Sequence, residues 1–141
     1  MEAAATPDRV FVYGTLRAQG GHPMARLLAE RGTRLGAATL RGVLLDVGPY
    51  PAAVPSEDEA DRILGELIEL HPERAAETLA ELDAYEGCPD GDHEPALYVR
   101  SRQIVQGPDG ANLDAWVWFW NRSREGLPRI RGGDWIRHVR G

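Results

Sequence analysis

"ALYVRSRQIVQ" (96–106) and "LDAWVWFWN" (113–121), separated by "GPDG" (107–110), decide the fold. Both runs are rich in β-branched and aromatic residues, and the turn residues between them predict a hairpin. In the second run Trp116, Trp118 and Trp120 share one face while Ala115, Val117 and Phe119 share the other, because side chains alternate along a strand. Both faces are largely apolar, which makes this a central strand.

Outward from the hairpin, strands and helices continue to alternate. "RVFVYGT" (9–15) is an apolar run that stops at Gly14, a buried strand ending in a turn where glycine permits close approach and unusual backbone angles. "HPMARLLAERG" (22–32) predicts a helix of about two turns, with Pro23 as its first residue and Gly32 as its stop. "TLRGVLLDV" (39–47) reads as a strand that breaks at "GPYPA" (48–52), where a fixed, exposed turn is expected to hold Tyr50. "SEDEAD" (56–61) is a loop, and "RILGELIEL" (62–70) a strand whose apolar spacing also admits a helix. "HPERAAETLAELDAYEG" (71–87) is the clearest helix, with Pro72 near its start and Gly87 at its end. "DWIRHV" (134–139) reads as a last short strand in a loop-rich tail. The expectation is one α+β domain over residues 1–141, with an antiparallel or mixed sheet and a basic tail from about 121 to 141. Glycine punctuation suits a strongly curved sheet or a small barrel.

Charge and cysteine content narrow the function classes. The formal net charge of -6 argues against general nucleic-acid binding, although six of the sixteen arginines lie in the last twenty residues and leave a basic patch as a minor reading. Cys88 is the only cysteine, so neither a disulfide framework nor a C-x-x-C pair is expected, and a reducing cytoplasm is the natural compartment. The opening "MEAAATPDR" has no basic, apolar leader pattern, and no apolar run approaches the ~20 residues that span a bilayer. His22, His71, His93 and His138 form no i, i+4 pair, so no metal and no cofactor is expected. Cys88 as a thiol nucleophile lacks an evident base nearby in sequence and is more simply a small core residue.

One acid stands out. On a helical wheel Ala75, Leu79, Leu82 and Glu86 fall in one stripe at spacings of four, three and four, whereas Glu73, Glu77 and Glu81 take the opposite, solvated side. A carboxyl group on the apolar stripe is disfavoured in its charged form, and the helix C-terminus disfavours it further, so its pKa should rise towards the range of a general acid/base. The other reading is a helix that frays before 86 and leaves the side chain in water or beside an arginine.

"VFVYGTLR" (10–17), "LLDVGPYPAAV" (44–54), "GELIEL" (65–70), "LDAYEG" (82–87) and "LYVR" (97–100), in this order and spacing, resemble the γ-glutamylcyclotransferase superfamily and most closely its AIG2-like branch. "AWVWFW" (115–120) and "GGDW" (132–135) extend the resemblance over nearly the whole chain. It implies a small mixed barrel with flanking helices, a pocket lined by the first turn, and a small-molecule γ-glutamyl substrate converted to 5-oxoproline and a free amine. Tyr13, Gly14, Thr15 and Leu16 would present backbone groups to the γ-glutamyl moiety, and Glu86 would be the general acid/base. Tyr50 is a candidate pocket wall, and Tyr98 either a hydroxyl donor to substrate or an ordinary half-buried strand residue. Trp118 stands where relatives often carry tyrosine, so a phenolic donor has become an indole donor. Arg17 and Arg100 are candidate partners for a substrate carboxylate. The competing class is a non-catalytic module that keeps the pocket without turnover, or that binds a partner through the Arg-rich tail.

Overall fold

The computed structural model describes residues 8–14, 23–48, 51–87 and 97–140, without the side chains of 23, 24, 86, 87 and 140. Within them run β1 (Arg9–Val12), α1 (Pro23–Arg31), β2 (Gly32–Arg41), β3 (Val43–Asp46), β4 (Pro51–Val54), β5 (Arg62–Leu70), α2 (Ala75–Gly87), β6 (Tyr98–Gln106), β7 (Asn112–Trp120) and α3 (Trp135–Arg140). Five strands close into a barrel in the order β1-β5-β2-β6-β7, and β3 and β4 form a separate two-stranded ribbon. Neighbours in the barrel are antiparallel except at the seam, where β1 meets β7 in parallel at Val10 and Trp116. This is the expected mixed barrel with flanking helices, and β7 is central because it has β6 on one side and β1 on the other.

Alternation along the strands divides the apolar residues into two layers. Phe11, Leu40, Ile63, Leu67, Ala115 and Val117 fill the barrel, capped by Leu44, Ile130 and Trp135. Val10, Val12, Ile68, Leu70, Tyr98 and Trp118 point outward and are covered by Leu28 of α1 and by Ala75, Leu79 and Leu82 of α2. The barrel is narrow enough to require glycine at Gly65, where a Cβ would strike the Val12 carbonyl and the Phe11 ring. Gly14 answers to the same demand: its Cβ would lie 2.9 Å from Pro51 Cγ, and its φ is not positive, so close approach rather than a left-handed backbone selects it.

Three predicted elements differ from what the structure contains. The strand expected over 39–47 is two: β2 begins at Gly32 and ends at Arg41, and β3 starts beyond Gly42, whose N–H turns away to the Asp61 carbonyl. The exposed turn expected over 48–52 gives way at Pro51 to β4, all four residues of which are buried. Proline is tolerated there because it is the strand's first residue, and "PAAV" is too short and too small-chained to carry a period. "DWIRHV" is the helix α3, not a strand. Asp134 is extended and caps it, its Oδ1 accepting the Arg137 N–H at 3.3 Å, while Trp135 and Ile136 are buried. The basic tail is therefore anchored: Ile130 and Trp135 close the barrel core, and the Arg129 guanidinium meets Asp61 at 2.6 Å.

Candidate active site

β1 leaves the barrel at Tyr13 and Gly14, and four of the residues predicted for the site gather around that exit. The Tyr13 hydroxyl donates to the Trp118 carbonyl at 2.6 Å, across the seam that closes the barrel. Gly14 lies against Pro51, and the Tyr98 hydroxyl donates to the Pro51 carbonyl, also at 2.6 Å. Tyr98 is buried and meets Trp120 edge-on with ring centroids 5.3 Å apart. Both phenols thus tie strands together, Tyr13 joining β1 to β7 and Tyr98 joining β6 to β4.

Trp118 links this exit to α2. Its indole N–H donates to Asp83 Oδ1 at 2.9 Å, and the same oxygen takes Arg100 Nε at 3.0 Å. Arg100 in turn lies over the Trp116 ring, 4.2 Å from the centroid. Arg100 is therefore engaged with the protein's own acid and indole, and the Trp118 donor with α2. Asp83 went unnoticed in the sequence although it stands in "LDAYEG"; its signal was its position one helical turn before Glu86. It pins the last turn of α2 onto β6 and β7.

The helix itself runs unbroken through Gly87, so the backbone at Glu86 is helical and in register with Leu79 and Leu82, which are buried. Its side chain lies outside the described residues, as do Thr15, Leu16, Arg17, Tyr50 and Cys88. On the opposite side of the helix Glu77 and Glu81 are exposed, as the wheel predicted. Glu77 meets Arg74 at 2.6 Å, which holds its carboxyl below the usual range, and Glu81 meets Arg31 at 2.8 Å.

One acid on a buried face escaped the sequence reading. Glu66 in β5 is only 2% exposed, the sole carboxylate buried to that degree among the described residues. It faces Arg34 Nη2 at 3.3 Å. The signal was available, since Glu66 repeats the parity of Ile68 and Leu70 in "GELIEL", but only a strand reading of that run reveals it.

A cleft of about 160 Å³ between Gly42–Leu44 and Arg129–Gly133 lies apart from all these residues. Its guanidiniums are occupied, Arg62 by the Glu59 and Asp61 carbonyls and Arg129 by Asp61, whose pKa is lowered first by Ser56 and then by Arg129. Among the described residues no group of three or more His, Cys, Asp or Glu side chains is placed to hold a metal ion. No helix among them is long and apolar enough to cross a membrane.

Comparison with known proteins gives one consistent result. Residues 10–137 match the family described as gamma-glutamyl cyclotransferase, AIG2-like. The gamma-glutamylcyclotransferase family protein YtfP of Escherichia coli K12 is 33% identical over 129 residues, covering 91% of this chain and 96% of that protein. A gamma-glutamylaminecyclotransferase of Bos taurus is 35% identical over 109 residues, covering 70% of this chain and 60% of that enzyme. The solution structure of Escherichia coli ytfP superposes with a TM-score of 0.58 at 31% identity, covering 93% and 98% of the two chains. The crystal structure of an AIG2-like protein from Mus musculus gives 0.65 at 23% identity, with 87% and 85% covered, and supports the fold alone.

Proposed function

Because this chain belongs to the AIG2-like gamma-glutamyl cyclotransferase family, we propose that it converts a γ-glutamyl amide into 5-oxoproline and a free amine, with Glu86 as general acid/base. The substrate carries both nucleophile and electrophile. Its α-nitrogen attacks its own γ-carbonyl, the C–N bond of the lactam forms, a tetrahedral oxyanion develops, and the original amide C–N bond breaks as the oxyanion collapses. The α-ammonium loses two protons in becoming a lactam N–H, and the departing nitrogen gains two in leaving as an ammonium. One carboxyl group can relay them in sequence if its pKa lies near neutrality. The protein's remaining task is to fold the glutamyl chain so that nitrogen and carbonyl carbon meet, which tethered reactions reward with a large part of the barrier.

The observation that supports this reading is the unbroken run of α2 to Gly87. It keeps the Glu86 backbone in the helical register of Leu79 and Leu82, one turn beyond Asp83. Main-chain N–H groups of the turn from Tyr13 to Leu16 are proposed to hold the substrate carboxylate or the developing oxyanion. Trp118 supplies a wall and a fixed attachment for α2, and Tyr50 and Tyr98 take part at most as lining. The relative named for γ-glutamylamines makes that class the first to try.

The test measures 5-oxoproline release from a panel of γ-glutamyl amines and γ-glutamyl amino acids. Glu86→Gln keeps shape but cannot exchange a proton, and should lower kcat by about 10²–10⁴-fold. A silent wild type across the panel, or a mutant at full rate, overturns the proposal.

A further inference from the structure

Trp118 is held at two ends, and each end belongs to a different part of the site. β1 and β7 run parallel with Val10 beside Trp116, which brings the end of β1 level with Trp118. Tyr13, the first residue beyond β1, turns its ring into the barrel interior beside Phe11, and its hydroxyl donates to the Trp118 main-chain carbonyl. The Trp118 side chain leaves the other face of the sheet, where it lies in the buried layer with Val12 and Leu82. There its indole N–H donates to Asp83. The main chain of one residue thus holds the start of the turn proposed to bind substrate, and its side chain holds α2 one turn before Glu86.

The link is short and stiff. An indole carries a single donor whose direction is fixed by the ring plane, and a donor buried to 2% exposure has to keep its acceptor. Arg100 steadies that acceptor from the neighbouring strand: it is the cross-strand partner of Trp118, its Nε reaches the same Asp83 oxygen at 3.0 Å, and its guanidinium lies over Trp116. Holding β7 against β6 requires none of this, since the two strands pair along their whole length. What the two bonds of Trp118 add is a fixed distance between the exit of β1 and the end of α2. From those two places the proposed reaction draws its main-chain donors and its acid.

Resting on the function proposed above, we infer that Trp118 is a positioning residue that sets the spacing between the turn beginning at Tyr13 and the helix position of Glu86, and does so only while both of its bonds are intact. Its effect on rate runs through that spacing rather than through contact with reacting atoms. The Tyr13–Trp118 and Trp118–Asp83 bonds are therefore coupled although they leave opposite faces of the sheet. Releasing either one frees the distance, and releasing both frees little more.

The experiment pairs kinetics with amide hydrogen exchange. Trp118→Phe keeps the main-chain carbonyl and loses only the donor. With the most active member of the γ-glutamyl panel it should lower kcat about ten- to hundredfold, as a small misplacement of reacting groups does, and leave KM within about threefold. Tyr13→Phe should lower kcat in the same range, and the double variant should fall no more than about threefold below the slower single, whereas independent bonds would give losses that multiply. Without turnover, exchange of the amides at residues 84–87 should quicken about fivefold in Tyr13→Phe as well as in Trp118→Phe, the net worth of one hydrogen bond, beyond any change along β5. Multiplying losses, an unchanged kcat in folded Trp118→Phe, or exchange at 84–87 that ignores Tyr13→Phe overturns the inference. Should Trp118→Phe fail to fold, Asp83→Ala removes the same bond from its more exposed side and enters the cycle in its place. Should wild type release no 5-oxoproline from any panel member, the proposed reaction fails, and the exchange measurement alone decides the role of Trp118.

Discussion

The two faces of the barrel sheet are built to opposite specifications. Inside, Phe11, Ile63, Leu67 and Val117 pack together, and no buried charged side chain among the described residues joins them. Outside, under α1 and α2, an equally buried layer includes Trp118 and lies beside Glu66, with Asp83 and Arg100 at its edge. Both faces are apolar by composition; the inner layer has the Tyr13 hydroxyl, held by the Trp118 carbonyl, whereas the outer one adjoins charged groups. A dry interior can fix a geometry, and a layer with dipoles and charges at its margin can use it. Substitutions should therefore separate: inner-face changes cost stability, and outer-face changes cost binding or rate.

The largest contrast is between Glu86→Gln and Phe11→Ala. The first should remove most turnover, about 10²–10⁴-fold, with the thermal midpoint nearly unchanged. The second should lower the free energy of unfolding by about 3–5 kcal/mol, read from urea denaturation, with kcat of the folded fraction preserved. A Phe11→Ala protein that folds stably but loses its activity would erase the division. Next, Asp83→Ala leaves the buried Trp118 N–H without its acceptor, and should cost about 1–3 kcal/mol of stability while lowering kcat through the loosened end of α2. Unchanged kcat would detach Asp83 from the site. Tyr98→Phe should cost only about 1 kcal/mol, the net worth of its bond to Pro51, and leave KM within error; a large rise in KM would restore its hydroxyl as a substrate contact.

The smallest effect lies away from both faces, where α3 meets β3. The His138 ring beside Asp46, at 2.9 Å, and then the Gly48 N–H hold that carboxyl below the usual range. A carboxyl lowered in the folded state stabilises it fully above the unfolded value of about 3.9 and ceases to do so as pH falls through the lower folded value. Asp46→Asn should flatten the acid limb of the stability curve there and leave the neutral region close to wild type. An unaltered acid limb would mean that the contact contributes nothing.

Legibility in the sequence followed the length and purity of each pattern. α2 and the β6–β7 hairpin were readable because thirteen helical residues and two nine-residue strands carry a sustained period. β4 was not, because four small or cyclic residues carry none. "DWIRHV" reads as a strand because six residues carry too little period to tell it from a helix, while Asp134, which caps α3, goes unweighed. For the site, the wheel singled out Glu86 because a helix repeats often enough to show an intruder on its stripe. Glu66 intrudes in the same way on a strand, yet a period of two in a run also compatible with helix gave no contrast. Tyr13 and Tyr98 stand out in the sequence, but a sequence cannot say that each hydroxyl would donate to a carbonyl of a remote strand.

The seam between β1 and β7 has a consequence for how the protein is made. Val10 meets Trp116 only after more than a hundred intervening residues have been synthesised, so closure is a contact of very long range in the chain and is expected late in folding. Trp118 of β7 joins the end of β1 to α2, its carbonyl accepting from the Tyr13 hydroxyl and its indole donating to Asp83. A nascent chain that has emerged only as far as α2 already holds β1 and α2, but lacks the strand that joins them. Competence to bind should therefore appear in one step, when the seventh strand docks, and ligand present during refolding should accelerate none of the earlier phases.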